Sequence, residues 1–259
     1  MSLSFLKLHF IDLQSSSQQA LATILFIHGA GGTTDDWRRQ HALSDKYRLL
    51  ICDLPGHGRS AGTGETTIAR YADAVIDFIK SNRLPRVFVC GHSMGGAVAQ
   101  EIALREPGFL EGLILVSTGA KLRVLPALFN LIREDFASAV RGMAAFEFGP
   151  AAPGVLIEEE RQSLAGNAPD LLLKDFMACD SFDIIDKVGL IRLPVLIICG
   201  REDRLTSAKY SALLHEKIWG SQLTILDECG HMPMLEQDRR FNERISQFIE
   251  SLKVRRGKP

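Results

Sequence analysis

The stretch Val87-Phe88-Val89-Cys90-Gly91-His92-Ser93-Met94-Gly95-Gly96-Ala97 decides how this chain is read. Val87 to Cys90 is a short apolar run of the kind that forms a strand buried on both faces of a sheet. Gly91-His92-Ser93-Met94-Gly95 follows, and Ala97-Val98-Ala99 opens a helix. A strand that passes through Gly-X-Ser-X-Gly into a helix makes a sharp turn with the serine at its apex and the hydroxyl above the sheet edge. Glycine on either side of the serine lets the backbone close that turn without a Cβ clash. The same turn aims N–H groups of the new helix at whatever the serine attacks, where negative charge is favoured. Gly-X-Ser-X-Gly alone also occurs in ordinary glycine-rich loops, so the flanking strand and helix patterns carry the weight.

Outward from this turn, apolar runs alternate with helical patterns. Residues 3 to 13 predict one or two opening strands, and Leu21 to Ile27 a fully buried one that ends in His28-Gly29-Ala30-Gly31-Gly32. Thr33-Thr34-Asp35-Asp36 supplies caps for a short helix carrying Trp37. Tyr47 to Cys52 is the next strand, closed by Asp53-Leu54-Pro55-Gly56-His57-Gly58-Arg59-Ser60. Thr66 or Thr67 caps a helix whose apolar residues Ile68, Tyr71, Val75, Phe78 and Ile79 keep helical spacing. After the central turn and its helix to Arg105, Leu113 to Val116 is a further strand. Strands alternating with helices predict parallel pairing and right-handed crossovers, a doubly wound α/β sheet.

From about 120 to 183 no strand is predicted. Amphipathic pieces around 126–141, 154–165 and 170–179 are separated by Gly149-Pro150 and Gly166-Asn167. The alternation resumes with the strand Val195 to Cys199, a helix near 207–217, the strand Leu223 to Leu226 and a closing helix near 237–252. The expected organisation is therefore an α/β core of residues 1–119 and 184–259, with residues 120–183 as an inserted helical cap. The end, residues 254–259, is expected to be a solvated tail.

The chain has 259 residues, 46% hydrophobic and 24% charged, with a net charge of about −1. That balance gives no basic field for nucleic acid. The start lacks a basic segment followed by a long apolar run, and no stretch approaches the roughly 18 apolar residues of a membrane span. Five cysteines show no Cys-X-X-Cys pair and no Cys/His ligand spacing, so neither a disulfide framework nor a metal site is expected. Small buried thiols in a reducing cytoplasm fit better.

Taken together, His28-Gly29, Asp53-Leu54-Pro55-Gly56-His57-Gly58, Gly91 to Gly96, Asp203 and His231 resemble the α/β-hydrolase family over essentially the whole chain. The resemblance implies that fold, with the cap following the sixth core strand, and serine-based hydrolysis without a cofactor or metal. A serine hydroxyl needs a base. Of the seven histidines, His231 follows the last strand within Gly230-His231-Met232-Pro233, and the family order of serine, acid, histidine assigns it that role. The acid that orients the base comes from Glu202 or Asp203 just beyond a strand, and the resemblance favours Asp203. The alternative family position after the preceding strand, Ser117-Thr118-Gly119, holds no carboxylate. The family pattern also implies an oxyanion hole from the backbone N–H groups of Ala30 and Met94. His28, His57 and His92 are expected to brace loops, and Glu202 to be a solvated charge. Trp37 is open to two roles, lining a substrate pocket or filling the core.

The expected activity is hydrolysis of a carboxylic ester, lactone or thioester of a small, largely apolar substrate through an acyl-enzyme. A hydrolase cleaving a carbon–carbon bond in a vinylogous diketone acid shares this machinery and stands as the alternative. A ligand receptor on the same fold is a third. Serine at position 93 argues against the aspartate-nucleophile epoxide hydrolases and dehalogenases, and Tyr47, Tyr71 and Tyr210 all fall outside the cap. Residues 120–183 contain six phenylalanines and six basic residues against ten acidic ones. Neutral apolar acyl groups are therefore expected to be preferred over carboxylate-bearing ones. Substrate identity and oligomeric state are not legible at this level.

Overall fold

The computed structural model describes residues 7–16, 20–105 and 107–256. Seven strands form one sheet: β1 (Phe10–Leu13), β2 (Thr23–Ile27), β3 (Arg48–Cys52), β4 (Val87–His92), β5 (Leu110–Val116), β6 (Val195–Gly200) and β7 (Gln222–Leu226). Across the sheet they lie in the order β1-β3-β2-β4-β5-β6-β7. β1 runs antiparallel to β3, and all other pairings are parallel. The opening segment contributes the one strand β1, and residues 1–6 lie outside the described residues.

Successive side chains of a strand face opposite sides, and here both sides are covered. Leu25 and Ile27 of β2, Val87 and Val89 of β4, and Leu113 and Leu115 of β5 enter one apolar core. That core packs against α1 (Ile68–Ser81) and α2 (Met94–Arg105), through Tyr71, Val75, Val98 and Ile102. Their neighbours Ile24, Phe26, Phe88, Cys90, Ile114 and Val116 enter a second core, with Trp37 and with Phe241, Ile245 and Ile249 of α9 (Asp238–Arg256). Thr67 caps α1 by accepting from Arg70 N–H, and Thr33 with Asp36 forms a capping box at the 3-10 helix Thr34–Asp45.

Four helices stand between β5 and β6: α3 (Pro126–Glu134), α4 (Phe136–Glu147), α5 (Gly154–Ala165) and α6 (Pro169–Ser181). The expectation of one helical piece over 126–141 is corrected. Asp135 leaves helical geometry at φ −147° and caps α4 through its side chain, which accepts from Ser138 N–H. The insertion follows β5, not a sixth strand, because only β1 precedes β2 among the described residues. Its two ends lie side by side. Leu122 N–H donates to Phe182 O, Ile184 N–H donates to Ala120 O, and Lys121 pairs with Asp183. A third apolar cluster, including Ile132, Val140, Met143, Leu164 and Leu172, lies within these helices. The closing helix α9 also runs further than expected, through Arg256, and of the expected tail, residues 257–259 lie outside the described ones.

β3 lies to one side of β2 and β4 to the other, so the strand order reverses between β2 and β4. In such sheets ligands bind beyond the carboxyl ends of the strands at this reversal. The loop 28–32 leaves β2 there and Ser93 leaves β4 there. A Cβ built on Gly95 would run into the carbonyl oxygens of Ile27 and His28, which means that the start of α2 is seated directly on the end of β2. Gly95→Ala is expected to cost about 1–3 kcal/mol through this overpacking. Urea unfolding of the variant beside the wild type measures it, and an unchanged midpoint would contradict the contact.

Candidate active site

Ser93 sits between β4 and α2 with φ 51°, a left-handed conformation uncommon outside glycine. Hydrogen bonds to its peptide groups hold it there. Ser93 N–H donates to Val116 O (2.9 Å), Gly96 N–H donates to Ser93 O (3.0 Å), and Thr118 Oγ1 donates to Ser93 O (2.8 Å). On the inner side of the turn, Gly91 faces the Gly95 carbonyl with no room for a Cβ.

His231 follows β7 and is buried. Its Nδ1–H donates to Asp203 Oδ2 at 2.9 Å, which leaves Nε2 as the ring's free base. Asp203, just beyond β6, is itself held: Oδ1 accepts from the Leu205 and Thr206 amides (2.9 Å each), and Oδ2 accepts from Thr206 Oγ1 (3.0 Å). Burial works against its charge, but His231 and these donors hold Asp203 below the ordinary carboxylate range. The His231 backbone is anchored too, its N–H donating to Glu147 O (2.6 Å) and its carbonyl accepting from His92 Nε2–H (2.9 Å). Ser93 and His231 line one cavity, without a direct hydrogen bond between them in this state. Such bonds commonly tighten only when substrate is bound.

The Ala30 amide, on the cavity wall, and the Met94 amide, at the start of α2, donate to no group among the described residues. The loop that carries Ala30 is fixed by a buried carboxylate that the sequence did not flag. Asp175 of α6, fully buried, accepts from Gly31 N–H (2.8 Å), His57 Nε2–H (2.8 Å) and Tyr71 OH (2.5 Å). Asn167 completes the hold by donating to Gly31 O (2.8 Å). His57 Nδ1–H donates to Pro55 O (3.1 Å), so both ring nitrogens face acceptors. Burial alone would lower this imidazole, but the Asp175 charge and hydrogen bond raise it overall. His57 thus ties the 53–60 loop to α6, in keeping with a bracing role.

The cavity at Ser93 measures about 80 Å³. A water's share of liquid is ~30 Å³, so the space suits a group of a few heavy atoms. A more open depression of about 610 Å³ lies beside it, between the glycine-rich 56–64 loop and α6, and does not include Ser93. Trp37 does not reach the cavity. It is fully buried in the core against Phe26 and Phe241, so of its two roles the structure gives it the packing one. Among the six phenylalanines of the insertion, Phe176 lines the cavity, Phe148 and Phe182 are core, and Phe146 is 51% exposed beneath Arg204. Glu202 is more than a solvated charge: its Oε2 accepts from Cys229 N–H (2.8 Å) and steadies the loop before His231. Glu236 binds the Gly149, Gly230 and Met232 amides on the other side of that loop. Glu202 stood out in the sequence only as a candidate acid beside Asp203, and Glu236 had no signal beyond its proximity to Gly230-His231.

Among the described residues, no helix is long and apolar enough to cross a membrane. The model for the alpha/beta hydrolase family matches residues 24–244, most of the chain, and the protein belongs to that family. The chain is 28% identical to the "Putative carbamate hydrolase RutD" of Agrobacterium fabrum (strain C58), over 93% of this chain and 98% of that protein. It is 28% identical to 3-oxoadipate enol-lactonase 2 of Acinetobacter baylyi, over 93% and 97%. Among solved structures, a thermophilic esterase superposes with a TM-score of 0.81 at 30% identity, covering 95% of this chain and 99% of the other. The protein is accordingly a hydrolase enzyme.

His92 offers a test of this buried framework. Its Nε2–H is used by His231 O, and its Nδ1 is buried without a partner, so a second proton would have no acceptor. Burial, with the nearby His231 ring, lowers its pKa to about 3. A histidine lowered on folding stabilises the fold above its unfolded pKa, and that stability is lost as pH falls from ~6.5 toward the folded value. Between pH 7 and pH 5.5 this single group should cost about 1 kcal/mol. In His92→Gln that part of the acid sensitivity should vanish, as read from urea unfolding at the two pH values. Equal pH dependence in the two proteins would show that His92 does not titrate this way.

Proposed function

We propose that this enzyme is a serine hydrolase of small, largely apolar carboxylic esters or lactones. Ser93 is the nucleophile, His231 the base, Asp203 its orienting acid, and the Ala30 and Met94 amides the oxyanion donors. The observation that carries this reading is the strained Ser93 sharing one small cavity with a histidine whose Nδ1 is engaged by a buried aspartate. Residues 120–183 act in it as a cap over a core of 1–119 and 184–259, and α4, α5 and α6 contribute to the cavity wall.

In the forward step Ser93 Oγ bonds to the carbonyl carbon while its proton passes to His231 Nε2. The carbonyl oxygen becomes anionic and is met by two amides whose position costs no reorganisation. Collapse breaks the bond to the alcohol oxygen, which leaves with the proton from His231. Water then repeats the sequence against the acyl-enzyme, giving the acid and free Ser93. Asp203 fixes the tautomer and stabilises the imidazolium formed twice per cycle. No cofactor is required by these steps. The five free thiols, all buried, fit a protein working in a reducing compartment. The carbon–carbon hydrolase alternative needs a carboxylate-bearing substrate, and the carboxylates lining this cavity speak against it.

The test is turnover of short-chain p-nitrophenyl esters, with labelling by a fluorophosphonate probe. Ser93→Ala is expected to abolish labelling and, like His231→Ala, to lower kcat by about 10⁴–10⁶, with a smaller loss for Asp203→Asn. Full activity in Asp203→Asn alongside loss in Glu202→Gln would reassign the acid. Multiple turnovers by the wild type dispose of the receptor reading, and their absence across esters, lactones and thioesters would overturn the proposal.

A further inference from the structure

The cavity at Ser93 holds more acid than the proposed mechanism uses. Asp36 from the capping box, Glu147 from the end of α4 and Glu160 from α5 all line it, beside the apolar side chains of Leu164 and Phe176. Glu160 is only 7% exposed and makes no hydrogen bond among the described residues. Glu147 Oε2 is buried and likewise has no partner. A buried carboxylate without partners is costly, and natural sites retain one chiefly when something else completes it. Burial raises all three carboxyls above their ordinary range, Glu160 to about 7, and the Glu160 charge adds to the rise at Asp36 and Glu147.

The charges that could neutralise them are already engaged or turned away. Arg38 lowers Asp36 and Glu160 through its field, but its guanidinium lies outward on Glu159 and Asp35. Asp35, near Arg38, adds to the negative field at Glu160, and Asp203 does so at Glu147. His231 and His92 are the remaining titratable groups on the cavity wall: His231 donates to Asp203, and burial lowers His92 to about 3, so it brings no cation. No lysine lines the space.

Resting on the reading of Ser93 as nucleophile, we propose that the cavity recognises a protonated amine, so that the substrate is a small ester or lactone whose apolar body carries an ammonium group held by Asp36, Glu147 and Glu160. The ammonium has three donors and no acceptor, which matches a wall of acceptors. Its compact charge also suits a space of about 80 Å³. This extends the expectation that carboxylate-bearing substrates are disfavoured: the wall that repels an anion attracts a cation.

Protection of Ser93 from fluorophosphonate labelling separates this inference from the one beneath it. Wild-type protein is labelled in the presence of n-butylammonium, 1-butanol or butyrate at matched concentrations. The ammonium is expected to protect at least about tenfold more strongly than the alcohol, and butyrate least. In Glu160→Gln and Glu147→Gln the ratio of ammonium to alcohol protection should fall toward one. Where one variant fails to fold, the other and the three-ligand comparison on wild type still decide. Labelling with equal protection by amine and alcohol overturns the ammonium site and leaves the nucleophile standing. Absence of labelling, or labelling that persists in Ser93→Ala, overturns the nucleophile itself.

Discussion

The seating of α2 on the end of β2 is the constraint from which the site follows. Gly95 lies so close to the Ile27 and His28 carbonyls that no side chain fits between them. With Ile27 paired to Gly91 in the parallel register, the chain leaving β2 and the chain leaving β4 must separate at one point. Ser93 is left at the apex with φ 51°, and the loop bearing Ala30 opens beside it. The strain of that backbone is carried by its neighbours, since Val116 and Thr118 on β5 and beyond hold both faces of the Ser93 peptide. Geometry of this kind does not depend on loop flexibility, because every partner is strand, helix or fully buried turn.

The inserted helices are joined to this frame by polar contacts as much as by apolar ones. Asp175 reaches from α6 to the loop after β2, to the loop after β3 and to α1, through one carboxylate and three donors. The arrangement is fully satisfied, which distinguishes it from an ordinary buried charge. Removing one partner would leave the rest buried and uncompensated, a heavier cost than the net worth of the bonds. Such a tie fixes position more than it adds stability. Apolar packing alone would tolerate sliding of α6, whereas three directional bonds to three different segments admit a single placement. The loop that carries the proposed oxyanion donor is therefore aligned by the insertion as well as by the sheet.

Much of this could be read from the chain. The sheet was legible because a strand covered on both faces writes itself as an unbroken apolar run, as in Ile24 to Ile27 and Val87 to Cys90. The positions of Ser93 and Asp203 could be placed because each lies within a few residues of such a run, whereas β7, before His231, is mostly half-buried and gives a weaker pattern. The first strand was blurred, since β1 pairs on one side only and its exposed face weakens the pattern. The break at Asp135 was hidden within a continuous amphipathic stretch, where a cap is a single side-chain bond. Trp37 could not be assigned from sequence because a tryptophan facing a core and one facing a ligand pocket present the same residue. Asp175, His57 and Tyr71 were out of reach for a different reason: they lie far apart in the chain, and only the placement of α6 brings them together.

The charge count of the insertion illustrates how a sum can be right and incomplete. Ten acidic residues against six basic ones suggest a diffuse negative face, and most of these acids are indeed solvated and paired outside. Asp175 is buried but tied to three donors; Glu147 and Glu160 are instead gathered with Asp36 around the cavity, where the field of any negative charge they carry is screened least. That field acts in two directions on the proposed reaction. It favours the imidazolium that His231 becomes when Ser93 loses its proton, and the His231 charge in turn lowers Glu160. It opposes the oxyanion that forms at the same moment a short distance away. An empty cavity with its carboxyls ionised would therefore gain on the base and lose on the intermediate. A cationic group seated among the three carboxylates removes the second effect while Asp203 alone preserves the first. Proposed recognition and proposed catalysis are in this way one electrostatic problem, solved when the charge that the cavity lacks arrives with the substrate.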